Sequence, residues 1–524
     1  MRRLNRLRVR ARSARLAITF AWGVGLLLVL HPALAVAQTF QLSGVVFPPS
    51  DYLAEDELQA AVAPYLDRDI VFADVEKMLD AVQALYLKRG IVTARAIIEP
   101  QDVVDGRLRL TLVEASIDAV RVEGAVQTRP DFVLDRLSTE VGAKPDFDTL
   151  ARDLRLFDIA YDIRPRLTFA PGLTTGTASA VVTIEEPARW SWIASYDNFA
   201  VEDLGRNQLS LTGTVRSLTG MRDTLTARVA ATAGSEALSV FYKRPVGLRG
   251  GSVNVAASVS HTEVVRGEFS ILDVQTDEAS LSIGYAQPFR IGRDRYWTWQ
   301  AAVNVETSES ALAGTPLQAG ELVELDLGIG YQRQGAASAW SLSVGAKLGE
   351  VDTGSASLTD GPFALLYGDL SYARRVSSRY VFDADVDWQV AEGQNLSVKR
   401  RIAAGGSASL RGYPKDIRSG DSGAVARLQL ACPAPCFAEA DDAPSILDTA
   451  NLSPFAFVDM ALIRPFAAPG GTADRNDFLA SAGVGARLGS GKVGLLGYVG
   501  VPLVQATGLT DMNPRLYLGA DYAF

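Results

Sequence analysis

The segment Tyr380-Val381-Phe382-Asp383-Ala384-Asp385-Val386-Asp387-Trp388-Gln389-Val390 decides the fold. Tyr380, Phe382, Ala384, Val386, Trp388 and Val390 share one face of an extended chain. Asp383, Asp385, Asp387 and Gln389 share the other, because strand side chains alternate with a period of two. A soluble sandwich also alternates, but three aspartates turned into its dry interior would be heavily desolvated. Lipid on one side and water on the other is the simpler cause, so the segment reads as one strand of a transmembrane barrel. The three aspartates then line its lumen. They follow one another along a single strand, whereas paired acid-base carboxylates face each other across a cleft.

The same period recurs through the C-terminal two thirds of the chain. Val323, Leu325, Leu327, Ile329 and Tyr331 alternate with Glu324, Asp326, Gly328 and Gly330; Trp297, Trp299, Ala301 and Val303 alternate with Thr298, Gln300 and Ala302. Sixteen such segments are expected, starting near residues 188, 206, 222, 236, 252, 277, 295, 321, 337, 364, 379, 422, 454, 477, 491 and 514. An even count suits a bacterial single-chain barrel of antiparallel strands, here over 187–524. The last segment ends on Tyr522 and Phe524, and a terminal aromatic on an alternating strand resembles the assembly signal of outer-membrane barrels.

Residues 1–37 carry Arg2, Arg3, Arg6, Arg8, Arg10, Arg12 and Arg15, then an apolar run from Leu16 to Leu30, then Ala35-Val36-Ala37. This reads as a signal peptide cut after Ala37. Its loss would take the formal net charge from −9 to −16, which speaks against a nucleic-acid partner. No later stretch approaches eighteen consecutive apolar residues, so a helical span is not expected.

Between the signal peptide and the barrel the pattern is mixed α/β. Strand-like Phe40 to Phe47, helical Ala54 to Leu66 and Asp74 to Lys88, and strand-like Val92 to Ile98 and Gly106 to Glu114 form one unit. Leu79, Val82, Leu85 and Tyr86 are expected on the buried helix face. The order repeats as Ile117 to Val122, Pro130 to Leu137, Phe147 to Tyr161, Arg166 to Phe169 and Ala178 to Glu185, which argues for tandem modules over 38–115 and 116–186. Their order and length resemble POTRA domains, whose sheet edges can accept an extended peptide.

Cys432 and Cys436 are the only cysteines; a local disulfide is expected in an oxidising periplasm, with free thiols the alternative. With His261 as the single histidine after residue 37, zinc and histidine chemistry are not expected, and neither is a cofactor or an enzymatic activity. Gly489-Ser490-Gly491-Lys492 lacks the spacing and the Ser/Thr of a phosphate loop and reads as a turn.

One polar connection, about 392–421, carries Ser409-Leu410-Arg411-Gly412-Tyr413-Pro414 between the eleventh and twelfth strands. Phe457-Val458-Asp459-Met460-Ala461 lies on the thirteenth, with Asp459 inward. Signal peptide, paired modules, sixteen strands, the Leu410-Arg411-Gly412-Tyr413 loop and the terminal Phe524 together resemble the TpsB transporters of two-partner secretion, the ShlB, FhaC and HecB group of the BamA-like superfamily. The resemblance implies that the loop folds into the lumen, that Arg411 pairs with Asp459 beside Phe457, and that the loop gates or braces the pore. It implies export of a large unfolded TpsA-type partner without ATP, with the barrel assembly machinery and outer-membrane lipid as further partners. Ala461 departs from the glycine frequent there in the family. A membrane-protein insertase of the same superfamily is the alternative, and a passive porin a more distant one.

Overall fold

The computed structural model describes residues 39–524 apart from 355–358, 392–394, 434–435, 437–450, 466–476, 507–508 and 510. The expected signal peptide and most of the insertion after Cys436 lie outside the described residues. A closed antiparallel barrel of 16 strands dominates the chain. In chain order its strands are 1 (Trp190–Asp197), 2 (Gln208–Arg216), 3 (Thr224–Ala231), 4 (Ser235–Val246), 5 (Gly251–Glu263), 6 (Val274–Phe289), 7 (Arg295–Leu312) and 8 (Thr315–Gln334). Strands 9 (Ser338–Asp352), 10 (Gly361–Arg375), 11 (Val381–Val390), 12 (Arg418–Ala431), 13 (Asn451–Pro465), 14 (Asp477–Ser490), 15 (Val493–Pro502) and 16 (Arg515–Ala523) complete it.

Alternation follows the physics that predicts it. On strand 8, Val323 and Ile329 are 48% and 52% exposed on the outer face while Glu324 is 2% exposed in the lumen. Closure comes from strand 16 pairing with strand 1, from Ile193 opposite Ala523 to Asp197 opposite Gly519. Trp192 and Phe524 extend it by exchanging backbone N–H···O bonds of 3.1 and 3.0 Å. Every backbone donor in lipid needs an internal partner, and closing the sheet removes the unpaired edges.

Strand 8 starts six residues earlier than the apolar pattern suggested. Ala313 and Gly314 both take positive φ (48° and 72°), so a two-residue turn keeps strands 7 and 8 paired from Leu312 opposite Thr315 downward, above the apolar belt. The turn expected over Gly489 to Lys492 is narrower: Gly489 and Ser490 still pair with Gly494 and Val493, and Gly491, at φ 57°, makes the two-residue hairpin with Lys492.

In the first N-terminal module the expected strand 40–47 is two, Phe40–Leu42 and Gly44–Val46, broken at Ser43. The first pairs antiparallel with Arg68–Ile70, a strand the sequence pattern did not suggest, and the second pairs parallel with Arg107–Arg109. Ser43 serves the change of partner, donating its N–H to Gly106 (2.8 Å) and its hydroxyl to the Asp105 carbonyl (2.7 Å). Helix Phe72–Lys88 buries Val75, Met78, Val82 and Tyr86, with Leu79 and Leu85 only half-buried at the flank. The true stripe includes one more turn at the N-terminal end, as a 3.6-residue period allows.

Residues 116–184 form a three-stranded sheet, Ser116–Glu123 parallel to Thr177–Thr183, with Arg166–Pro171 antiparallel on the other side. Helices Pro130–Leu134 and Phe147–Ala160 pack Phe132, Val133 and Phe157 onto Val182 and Ile184. The first helix stops before Leu137 because the Arg136 and Leu137 N–H groups bond to carbonyls three residues back, tightening the chain into turns. Asp146 caps the second, accepting from the N–H groups of Asp148 and Thr149 at 3.1 Å each.

This module grips the near end of the barrel. Arg222, 3% exposed at the turn between strands 2 and 3, donates Nε to Asp162 at 2.7 Å and Nη2 at 2.5 Å. Arg136 donates to the Gly247 carbonyl (2.6 Å) in the turn between strands 4 and 5. Gly250 is needed in that turn: at φ 79°, an added Cβ would lie 2.6 Å from Leu156 Cδ1.

Glu186 anchors the exit to strand 1, its carboxylate accepting from the N–H groups of Val126 (3.2 Å), Gln127 (2.8 Å) and Thr128 (2.7 Å). Partial burial pushes its pKa up, but the Thr128 hydroxyl and these N–H groups outweigh it and hold the carboxyl below its usual value. A depressed folded pKa stabilises fully above the unfolded value of about 4.3, and that contribution disappears as the pH falls through the folded one. Glu186→Gln is therefore expected to melt below wild type at pH 7, with the gap closing as the pH falls below about 4. Melts of the micelle-solubilised protein across that range measure it; a gap independent of pH would exclude the mechanism.

The luminal arginine loop as candidate functional site

The chain between strands 11 and 12 turns back into the barrel. The limb leading to its tip includes Ile402–Ala404, which pairs antiparallel with Arg418 to Gly420 on the return, at the head of strand 12. Gly405 and Gly406 follow at φ 127° and 86°, and a Cβ on Gly405 would lie 2.1 Å from the Pro414 carbonyl oxygen. Ser409 holds the turn, its hydroxyl accepting from the Gly405 N–H (2.9 Å) and lying 2.8 Å from the Gly405 carbonyl.

Arg411 sits at the tip. It donates Nε to Asp459 Oδ2 (2.8 Å) and Nη2 to Oδ1 (2.7 Å), a bidentate fork. Its backbone N–H adds a third bond to Oδ2 at 3.0 Å, and Nη1 donates to Gln429 on strand 12 at 2.9 Å. The guanidinium lies 3.6 Å from the centroid of the Phe457 ring, within cation–π range. Asp459 is fully buried, so the carboxylate is isolated from water and held by Arg411 alone among the described ion pairs.

Neighbouring loop residues fix the fork in place. Gly412, at φ 95°, lies against strand 15, where a Cβ would come within 2.9 Å of the Gly500 carbonyl carbon. The Tyr413 hydroxyl lies 2.9 Å from the Ala480 carbonyl and 2.5 Å from that of Val504, while Tyr517 donates its hydroxyl to the Tyr413 carbonyl at 3.0 Å. Leu410 and Tyr413, both fully buried, join Val425, Ala461, Ile463 and Leu479 in one apolar cluster inside the barrel. Ala461, where the family pattern has glycine, fits because its methyl packs into that cluster.

The aromatic floor around the fork depends on strand 14. Phe455, Phe457, Tyr498 and Tyr517 pack together, and a Cβ on Gly483 would lie 2.3 Å from Phe457 Cζ. The small residue at Gly483 on this inward face thus makes room for an inward aromatic.

A second attachment escaped sequence reasoning. Lys399 and Arg400, on the outgoing limb, reach the opposite wall: Arg400 donates to Glu324 at 2.6 Å and pairs with Glu306 at 3.3 Å. Lys399 pairs with Glu306 and, at 3.2 Å, with Glu278, so strands 6, 7 and 8 are all engaged. Glu324 is further held by Asn304 (2.8 Å) and Lys347 (3.2 Å). The signal was present as Lys399-Arg400-Arg401 between two acid-bearing walls, but pairing over more than seventy residues leaves no local pattern.

The other expected residues fall as follows. Asp385 and Asp387 face Arg427 of strand 12, at 3.9 and 3.6 Å, and Asp383 with Asp385 lines a luminal cavity of about 530 Å³ beneath the loop tip. Tyr522 and Phe524 stack at 5.8 Å, half-exposed at the barrel seam. Cys432 and Cys436 are joined in a disulfide, with Cα atoms 5.5 Å apart. They lie just beyond strand 12, apart from the loop.

A barrel with a charged lumen, crossed by a loop forked onto its own wall, defines an outer-membrane transport barrel rather than a soluble binding module. The profile of the haemolysin secretion/activation proteins ShlB/FhaC/HecB matches residues 176–488, that of the ShlB-type POTRA domain matches residues 40–115, and the chain belongs to this family. The outer membrane transporter CdiB of Dickeya dadantii is 22% identical over 413 residues, 75% of this chain and 72% of its own. The heme/hemopexin transporter protein HuxB of Haemophilus influenzae is 24% identical over 174 residues, 32% of this chain. That match takes in 30% of the relative's length, so the chain spans about a third of it. Among solved structures, CdiB from Escherichia coli superposes with a TM-score of 0.68 at 18% identity, covering 94% of this chain and 92% of that one. BamA from Haemophilus ducreyi gives 0.56 at 13% identity, covering 93% and 100%. The structural likenesses show the fold, and the family with its outer membrane transporter relatives places the protein in the outer membrane.

Removing one partner of a buried pair strands the other charge and costs about 3–5 kcal/mol. Arg411→Ala is expected to lower unfolding stability by that order, and Asp459→Ala in the Arg411→Ala background to recover part of it. Urea titrations of the four proteins in detergent measure the cycle; additive losses would show that the fork is not a coupled unit.

Proposed function

We propose that this protein exports a large partner polypeptide, of the TpsA adhesin, haemolysin or toxin kind, unfolded through its barrel without ATP. The observation carrying this reading is the double attachment of the luminal loop, Arg411 on one wall and Lys399 with Arg400 on the other. A passive porin has no use for a strap tied across its channel. A transporter needs the lumen sealed at rest and releasable when a chain arrives. Ion pairs serve that purpose: an incoming polar chain and its water can replace them piecewise, which a packed apolar plug would resist.

In this reading residues 1–37 are removed on export, and residues 116–186 act as a second POTRA domain beside the one at 40–115. Both modules sit in the periplasm and offer sheet edges to the unfolded partner by strand addition. Leu410, Arg411, Gly412 and Tyr413 brace and gate the pore, Asp383, Asp385 and Asp387 keep its wall hydrated, and Tyr522 and Phe524 mark the chain for the barrel assembly machinery. Curated relatives that bear transporter names favour this over the insertase alternative.

Two experiments test it. Arg411→Ala is expected to cut secretion of the cognate partner while the variant still reaches the outer membrane as a heat-modifiable barrel; unimpaired secretion would remove the gate. Deletion of residues 40–115 is expected to abolish export yet preserve ion conductance in planar bilayers, and lost conductance would point to a folding defect instead.

A further inference from the structure

The lumen has two chemically different walls. Strands 8, 10, 11 and 13 carry Glu324, Asp326, Asp369, Asp383, Asp385, Asp387 and Asp459 on their inner face. The loop is held on strands 6 to 8 and on strands 12 to 16.

Strands 1 to 5 read differently. From Glu324, whose carboxylate meets the loop in the lumen, the register runs through Asn304 and Ser282 to Ala256, Phe241, Thr226, Thr214 and Ser191. Directly opposed residues of an antiparallel sheet share a face, so all of these are luminal. The next row starts at luminal Glu306 and Ser280 and continues through Ser258, Ser239, Arg228, Thr212 and Ile193. A third passes from Glu278 through Ser260, Ala237, Ala230 and Ser210 to Ser195. Across these three rows strands 1 to 5 present mostly hydroxyls, one charge at Arg228 and no carboxylate.

Two further observations give that wall a use. Phe241 and Ile193 are 41% and 42% exposed, so two large apolar side chains stand partly open on a polar luminal face. The module of residues 116–184 takes hold of the barrel at the turns joining strands 2 to 3 and 4 to 5, through Arg222 with Asp162 and Arg136 with Gly247. A chain handed on by that module reaches the lumen at the foot of this wall.

We infer that the luminal face of strands 1 to 5 is the track along which the exported chain slides, and that it suits an extended segment rich in uncharged polar residues. This rests on the transport reading above. Serine and threonine hydroxyls offer any backbone weak, exchangeable hydrogen bonds as donor or acceptor. These three rows hold no carboxylate that would fix a cationic side chain, the luminal Asp197, Lys243 and Arg216 lying in the rows beyond them, while Phe241 and Ile193 supply brief apolar footholds.

The test uses the full-length protein in planar bilayers. The probe is a synthetic unfolded Ser/Thr/Asn/Gly-rich peptide of about 40 residues, long enough to cross the hydrocarbon core when extended. Added on the side of the N-terminal modules, it is expected to give transient current blockades. Phe241→Ala with Ile193→Ser is expected to shorten them about five-fold at unchanged open conductance, the loss of roughly one partly buried side-chain contact. Phe241→Leu, which keeps an apolar foothold, is expected to restore most of the duration, and Ser341→Ala on strand 9, which lines the luminal cavity with Asp383 and Asp385, to leave it at the wild-type value. Wild-type durations in the double variant, or equal shortening by Ser341→Ala, would overturn the assignment of this wall while leaving transport standing. Absence of blockades in the wild type would overturn the transport reading and the track with it.

Discussion

Everything inside this barrel is arranged around one buried charge. Asp459 has no access to water, and an isolated carboxylate there would be costly. Arg411 answers with two side-chain bonds and one from its own backbone. That third bond matters most for architecture: a side chain alone could reach from a distance, but a backbone N–H brings the loop itself onto strand 13. Gly412 must then be glycine, because the main chain runs against Gly500 with no room for a Cβ.

The pair constrains its surroundings in turn. Gly483 and Gly485 clear space for Phe457 and Phe455, so the cation–π face beneath Arg411 is made by deleting side chains on the next strand. Such a site is strong and local. The opposite attachment through Lys399 and Arg400 is of another kind, with several carboxylates sharing two cations whose side chains stay partly solvated. The two anchors are thus unequal, one buried and bidentate, the other shared and partly solvated.

The N-terminal grip gives the lumen a direction. Asp162 binds Arg222 below strands 2 and 3, and Glu186 ties the start of strand 1 to residues 126–128. These contacts lie at strands 1 to 3, whereas the fork of the loop is on strand 13.

The sequence determined a great deal by itself. The period of two, enforced by lipid outside and water inside, fixed sixteen strands and their inward faces to within a few residues. Its limits were physical. Above the lipid the apolar signal fades, so the extra length of strand 8 came only from the two-residue turn at Ala313 and Gly314. The three-residue strand Arg68–Ile70 is too short for any period to show. Leu410 to Tyr413 and Asp459 stood out through family likeness, and their contact distances needed the fold. The basic run at Lys399 and Arg400 was visible but had no partner in the pattern, because the bonds that hold it join residues far apart in the chain, and only barrel closure sets Glu306 and Glu324 across from it.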